Sequence, residues 1–318
     1  MLPSAPDGPA AHGGVGSLPV PASDTWTGAR VRPFRAITYD PAVAGPLASL
    51  VAPPYDVVGP DQRARLAAQS PWNVVRIDLP DIPYEGVRAV IDGWLADGVL
   101  RRAAAPMALA WTQSFTLPDG TAHERRILLA AVALAPYEDR VVRPHERTHA
   151  GPKEERLRLM TATSMQLSPI YGLYPDPEGA AWAAAGVSGA PWAEVTDPDG
   201  TVHRVWRIED PATASRVADA LSGRWILIAD GHHRYETALA YRDARRAAGG
   251  PDDGEQAYDF VMMGLTAVED PGLVVLPTHR VLAEWPEGAE RRLDVRPVDG
   301  GPGDLEAALA ALPAGVPA

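Results

Sequence analysis

Residues 225–241 read WILIADGHHRYETALAY. The apolar run Trp225–Ala229 has the composition of a buried strand. Asp230 and Gly231 turn the chain, and a helix is expected at once, from His232 to about Ala248. A strand bending directly into a long helix is the unit from which α/β proteins are built. The same alternation recurs on both sides. Upstream, Val31–Tyr39 reads as a strand and Gly59-Pro60 opens a helix through Gln69, with proline at its favoured first position. Val74–Leu79 (VVRIDL) reads as a strand, whereas Val87, Ile91, Trp94 and Leu95 recur at helical spacing. Met107–Leu117 and His123–Leu134 flank the turn Pro118-Asp119-Gly120 and predict a β-hairpin. A helix is expected from Pro152 to about Met165, then a strand at Ile170–Tyr174 and a second hairpin about Pro198-Asp199-Gly200. Ala212–Leu221 reads as a helix, and Tyr258–Leu265 and Leu273–Leu276 as strands. The expected class is α/β shading into α+β, with mixed sheets and antiparallel hairpins.

Four stretches divide the chain. Residues 1–27 are rich in Pro, Gly, Ala and Ser, bury little and are expected to be disordered. Residues 28–178 form an N-terminal lobe, and residues 179–285 a lobe carrying the DGHHR segment. The boundary between them is placed in the Pro/Gly/Ala-rich stretch Pro175–Gly189. Residues 286–318 read as a poorly ordered tail apart from a short helical pattern at Leu305–Leu312.

Composition removes several function classes. The 318 residues contain no cysteine, which excludes disulfides, thiolate nucleophiles, iron–sulfur clusters and cysteine zinc sites. A net charge of −12 leaves no surplus of cations to displace counterions, so nucleic acid and anionic membranes are unfavourable partners. No apolar run reaches the ~18 residues of a membrane span, and the N-terminal residues lack the basic start and apolar block of a secretory signal. A cytoplasmic protein acting on a small molecule is the expectation. The basic residues are nearly all arginine, and Lys153 is the sole lysine.

Chemistry concentrates at residues 230–236. Backbone N–H groups and the positive end of the helix dipole meet at a helix start, which suits a phosphate. Gly231 lets an anion approach the backbone with no Cβ in the way. His232, His233 and Arg234 then place potential cations at the end of the helix where the dipole favours acids, an arrangement that makes sense if they meet an anion. Arg234 can grip two phosphate oxygens, and His233 can donate to phosphate or move a proton near neutral pH. Asp230 can cap the helix, hold magnesium or accept a hydroxyl proton. Glu236 is a candidate carboxylate for the same proton, or simply a favourable acid near the helix start.

Two loops are candidates for the same cleft. Pro53-Pro54-Tyr55-Asp56 reads equally as a stiff structural turn and as a substrate contact through Tyr55 and Asp56. Arg143, His145, Glu146, Arg147 and Lys153 crowd into about ten residues, with Lys153 just after Pro152 at a helix start, again the setting of an anion site. Thr278-His279-Arg280 is a lesser candidate. His145-Glu146-Arg147-Thr148-His149 spells the H-E-x-x-H zinc-protease signature, but Pro144 before it and Gly151-Pro152 after it argue against one helix holding both histidines. No metal ligand is assigned on this ground.

DGHHRYETAL resembles the Gly-x-His-Arg-x-x-Ala type box of the ParB/sulfiredoxin superfamily, in which this turn holds nucleotide phosphates and which includes a free serine kinase using ADP. More closely, the chain resembles the bacterial and archaeal domain-of-unknown-function family 1015. The matching blocks are RPFRAITYD (Arg32–Asp40), APPYDVV (Ala52–Val58), NVVRIDLP (Asn73–Pro80), RPHERT (Arg143–Thr148), GPKEERL (Gly151–Leu157), LSPIYGLY (Leu167–Tyr174), ADGHHRYETALAY (Ala229–Tyr241), and VMMGL with DPGLVVLPTHR (Val261–Arg280). Members of that family are usually longer, which implies that this chain lacks a C-terminal portion. The remoter resemblance implies a strand–turn–helix phosphate site for ADP or ATP with magnesium. The expected function is a nucleotide-binding phosphotransferase, kinase-like, acting on a small hydroxyl-bearing metabolite. The alternatives are a nucleotide-sensing ParB-like regulator, which would also need a DNA-reading helix that the acidic balance disfavours, and a non-catalytic truncated relative.

Overall fold

The computed structural model describes residues 28–146 and 151–276. Along the chain come β1 (Val31–Arg32), β2 (Ile37–Tyr39), α1 (Pro41–Ala44), α2 (Pro60–Gln69), α3 (Val75–Asp78), α4 (Tyr84–Ala96), β3 (Leu100–Arg102), β4 (Ala108–Thr116) and β5 (Ala122–Ala133). They are followed by β6 (Val142–Arg143), α5 (Gly151–Thr163), β7 (Ile170–Tyr174), α6 (Ala180–Ala185), β8 (Ala193–Thr196) and β9 (Val202–Ile208). The described part closes with α7 (Pro211–Leu221), β10 (Ile226–Asp230), α8 (His232–Ala247) and β11 (Phe260–Ala267). The expected ends, residues 1–27 and 286–318 with the pattern at Leu305–Leu312, lie outside the described residues, as do Thr278, His279 and Arg280.

The two hairpins form where their turns predict. In the first, the Asp119 side chain accepts the Thr121 N–H at 2.9 Å, and β4 pairs with β5 from Leu109↔Leu129 to Thr116↔Ala122. The second, β8–β9, turns on Asp197, whose side chain accepts the N–H groups of Asp199 and Thr201. β5 runs past the end of β4 and also pairs with β11 and β1. One mixed sheet results, in the order β6-β10-β7-β11-β5-β4-β9-β8 with β1 on β5. The β6–β10 and β7–β11 pairs are parallel and the others antiparallel. The fold is therefore mixed α/β with a large mixed sheet, and the strands on both sides of Pro175–Gly189 belong to that one sheet.

Three expectations change. Val74–Leu79 is not a strand, because its core is the helix α3. The Asn73 side chain accepts the Val75 N–H at 3.0 Å and starts a helical turn, and the apolar spacing of so short a run fits one turn as well as an extended segment. Val31–Tyr39 is not one strand: Pro33, with no N–H to donate, separates β1 on the large sheet from β2, which pairs with β3. Leu273–Leu276 pairs with no strand among the described residues, and Val275 and Leu276 face solvent.

Two apolar clusters hold the chain together. The larger joins Leu128, Ile170, Ile226, Ile228, Met263 and Leu265 of the sheet to α6, α7 and Tyr235 of α8. The smaller packs Leu50, Ile77, Val87, Ile91 and Trp94 against Leu159 of α5. Since α5 also packs on α8, the helix that follows Gly231 lies where the smaller cluster meets the sheet. Within the sheet, Gly172 of β7 has no room for a side chain: a Cβ would stand 2.9 Å from Ile226 Cγ2 and 3.0 Å from Leu265 Cδ2. Gly172→Ala should therefore cost about 1–3 kcal/mol of overpacking, read as a lower denaturant midpoint at unchanged slope.

Candidate functional site

β10 delivers the chain to Gly231, whose φ of 95° lies in the left-handed region that glycine adopts without penalty. Gly231 itself is the N-cap of α8 and offers no side chain to the first turn, which contains no acid. The other long helix of this lobe begins differently: Asp210 caps α7 by accepting the Thr213 N–H at 2.9 Å. Asp230, which the sequence offers as a cap for α8, is turned to another task. Its carboxylate pairs with the Arg234 guanidinium one turn along, and Arg234 also donates to the Pro169 carbonyl in front of β7. The guanidinium lies directly behind the turn, so that a Cβ on Gly231 would come within 2.9 Å of Arg234 Nε. Arg234 is thus a largely buried brace with protein partners on both sides, while Asp230 remains 55% exposed.

The loop that follows β6 reaches the same turn. The His145 ring places Nδ1 2.7 Å from the Ile228 carbonyl, and the His145 backbone N–H donates to His232 Nε2 at 3.2 Å. The two imidazoles meet edge to face with centroids 4.5 Å apart. A carbonyl only accepts, so Nδ1 of His145 carries its proton and Nε2 keeps a lone pair. His232 is buried, and its Nδ1 lies 3.0 Å from Glu146 Oε1. That contact is ionic in distance but not aligned as a hydrogen bond, which leaves Nδ1 without a hydrogen-bond partner among the described residues. Burial pushes the His232 pKa below the usual imidazole value, with the Glu146 carboxylate pulling the other way. His145 and Glu146 are thus brought against the end of β10 and the first residue of α8.

The remaining candidates distribute less evenly. Tyr55 is half-buried in a short 3-10 turn under the Arg156 guanidinium, 3.6 Å from its ring centroid. Burial raises the phenol pKa and the Arg156 charge opposes that rise. Asp56 beside it is exposed. Arg143 points elsewhere, donating to the Arg140 carbonyl and lying over the Trp225 ring. His233 and Glu236 are half-buried on the first turns of α8. Lys153 sits on α5, but its side chain, like His149 and the rest of the H-E-x-x-H sequence beyond Glu146, lies outside the described residues.

Two residues that carry no assigned role in the sequence reading join these parts. Arg156 of α5 donates to Asp78 of α3 through its side chain at 2.6 Å and its carbonyl at 2.8 Å, with both side chains largely buried. Arg156, Asp78, Arg234 and Thr237 line one small cavity with Ser168 and Gln166, and the buried Thr237 hydroxyl has no partner among the described residues. Arg156 and Asp78 lie inside the GPKEERL and NVVRIDLP blocks, so the signal is present in the sequence, but only the fold shows that the two blocks touch.

The fold and this turn define a mixed α/β protein with polar side chains gathered at a strand–turn–helix bend. The family model described as "Protein of unknown function (DUF1015)" matches residues 31–294, and the chain belongs to that family. No curated protein and no solved structure gives a significant match. No helix among the described residues is long and apolar enough to cross a membrane.

The buried Arg156–Asp78 pair gives the site's floor a measurable signature. Arg156→Met alone should cost about 3–5 kcal/mol because it strands a buried carboxylate. Pairing it with Asp78→Leu should recover much of that loss, so that a double-mutant cycle in urea returns a coupling energy above about 1 kcal/mol.

Proposed function

We propose that the turn from β10 into α8 receives the phosphate groups of ADP or ATP, and that the protein is a kinase-like phosphotransferase for a small hydroxyl-bearing metabolite. One observation carries the reading: a 16-residue helix starts on a left-handed glycine with no side-chain cap and no acid in its first turn, with His145 of the loop after β6 against its first residue. A helix start of this kind presents a positive dipole end of roughly half a charge to an incoming anion. The remote likeness of DGHHR to the phosphate-holding box of ParB/sulfiredoxin proteins supports the same placement.

In this reading Arg234 works from behind the turn. Its bonds to Asp230 and the Pro169 carbonyl hold Gly231 open to the ligand, and its charge neutralises part of the phosphoryl group's. His233 donates to phosphate. Asp230, half exposed and adjacent, orients or deprotonates the acceptor hydroxyl, with Glu236 the second carboxylate on the same helix. Magnesium accompanies the nucleotide and spreads the charge of the transferring group. Tyr55 and Arg156 form the wall on which the acceptor rests.

Nucleotide binding should raise the thermal midpoint of the full chain, by about 2.7 kcal/mol of added stability at one hundred times Kd. Arg234→Lys should keep the fold and lose most of that shift. If millimolar ADP and ATP with magnesium leave the wild-type midpoint where it was, the nucleotide reading is lost. Consumption of nucleotide on adding small alcohols or hydroxy amino acids separates an enzyme from a sensor that only binds.

A further inference from the structure

We infer that His145, Glu146 and His232 form a binding site for a divalent transition metal of the zinc type. One ligand atom from each of the three lies within 4.8 Å of the other two. Metal–ligand bonds of roughly 2.0–2.2 Å close that spread with a small movement of the side chains. The proton on His145 Nδ1 is held by the Ile228 carbonyl at 2.7 Å, which leaves Nε2 as the free donor. This is the outer-sphere arrangement that fixes the tautomer of metal-binding histidines. His232, almost wholly buried, aims a nitrogen without a hydrogen-bond partner among the described residues toward the Glu146 carboxylate 3.0 Å away. A cation between them satisfies both groups. Binding through Nδ1 moves the ring's single proton to Nε2, which then no longer accepts the His145 amide N–H at 3.2 Å, so loop 145–146 shifts on binding.

The donor set selects the ion. Two imidazoles and one carboxylate suit Zn²⁺, Co²⁺ or Mn²⁺ rather than Mg²⁺, which prefers oxygen ligands and retains its waters. Glu146 and His145 are exposed, so three protein ligands on one side leave coordination positions open to solvent, as in catalytic rather than structural centres. The ligands come from residues 145, 146 and 232 and not from the i, i+4 histidine pair of a zinc-protease helix. The site needs no nucleotide, so it stands or falls separately from the phosphate reading.

The test uses the full, untagged chain after chelator treatment, titrated with Zn²⁺ and Co²⁺ in the absence of nucleotide. One equivalent should bind, with visible d–d absorption for Co²⁺. His145→Ala and Glu146→Gln, both changes at exposed side chains, should each weaken Zn²⁺ at least about 10-fold while the circular dichroism spectrum is unchanged. Absence of saturable binding by the wild type overturns the assignment, and so does equal affinity in wild type and His145→Ala.

Discussion

The bend at Gly231 is held by a guanidinium. Arg234 folds back beneath the residue three positions before it, pairs with Asp230 and ties the turn to the Pro169 carbonyl ahead of β7. The ion pair itself adds little, because Asp230 is more than half exposed and water screens it. The stronger constraint is steric. A side chain at residue 231 would occupy the guanidinium's place, and the left-handed backbone there is costly for any residue with a Cβ. Three sets of polar groups are located relative to this bend: His232 is the first residue of α8, loop 145–146 bonds to its ring and to Ile228, and the Arg156–Asp78 pair shares a cavity with Arg234.

How these groups are assembled explains what could be read from the amino-acid order. Elements with strong local signals are recovered: both hairpins have Asp-Gly turns, α7 has an Asp cap with Pro at its first position, and β10 is a continuous apolar run. Val74–Leu79 fails because its deciding feature is a single side-chain bond from Asn73, which periodicity does not register. The 230–236 segment stands out because its polar residues are contiguous, whereas its contact with the loop after β6 runs through His145 and Glu146 and not through the cation Arg143, which points elsewhere. Asp230 is harder. Four residues separate it from Arg234, a spacing favourable for a pair on a helix, but here one partner lies before the helix starts, and an acid in that position more often caps. The meeting of Tyr55, Asp78 and Arg156 spans about a hundred residues and depends on α3 and α5 packing through the smaller apolar cluster, which no local pattern encodes.

The protein's acidity is also organised rather than diffuse. Several arginines are paired with buried or half-buried acids: Arg156 with Asp78, Arg126 with Asp270, and Arg246 with Asp259. Removing a partner from such a pair costs far more than removing an exposed one, because the remaining charge has already lost its water. Arginine pairing therefore does structural work away from the turn, and a count of basic residues along the chain overstates the charge offered to a ligand.

The same correction applies at the turn. Read as a string, His-His-Arg promises three cations to an anion. In the fold, the buried His232 ring is held toward its neutral form by loss of water, and the Arg234 charge is already shared with Asp230. In the proposed reading, attraction for phosphate depends less on formal charge than on the helix dipole and the open backbone at Gly231, both of which act at short range. A neutral His232 is also what a metal requires, since a protonated imidazole has no lone pair to give. The burial that weakens the cationic reading of the motif thus strengthens its reading as a ligand set, and the two proposed occupants divide the turn between the backbone of α8 and the imidazoles beside it.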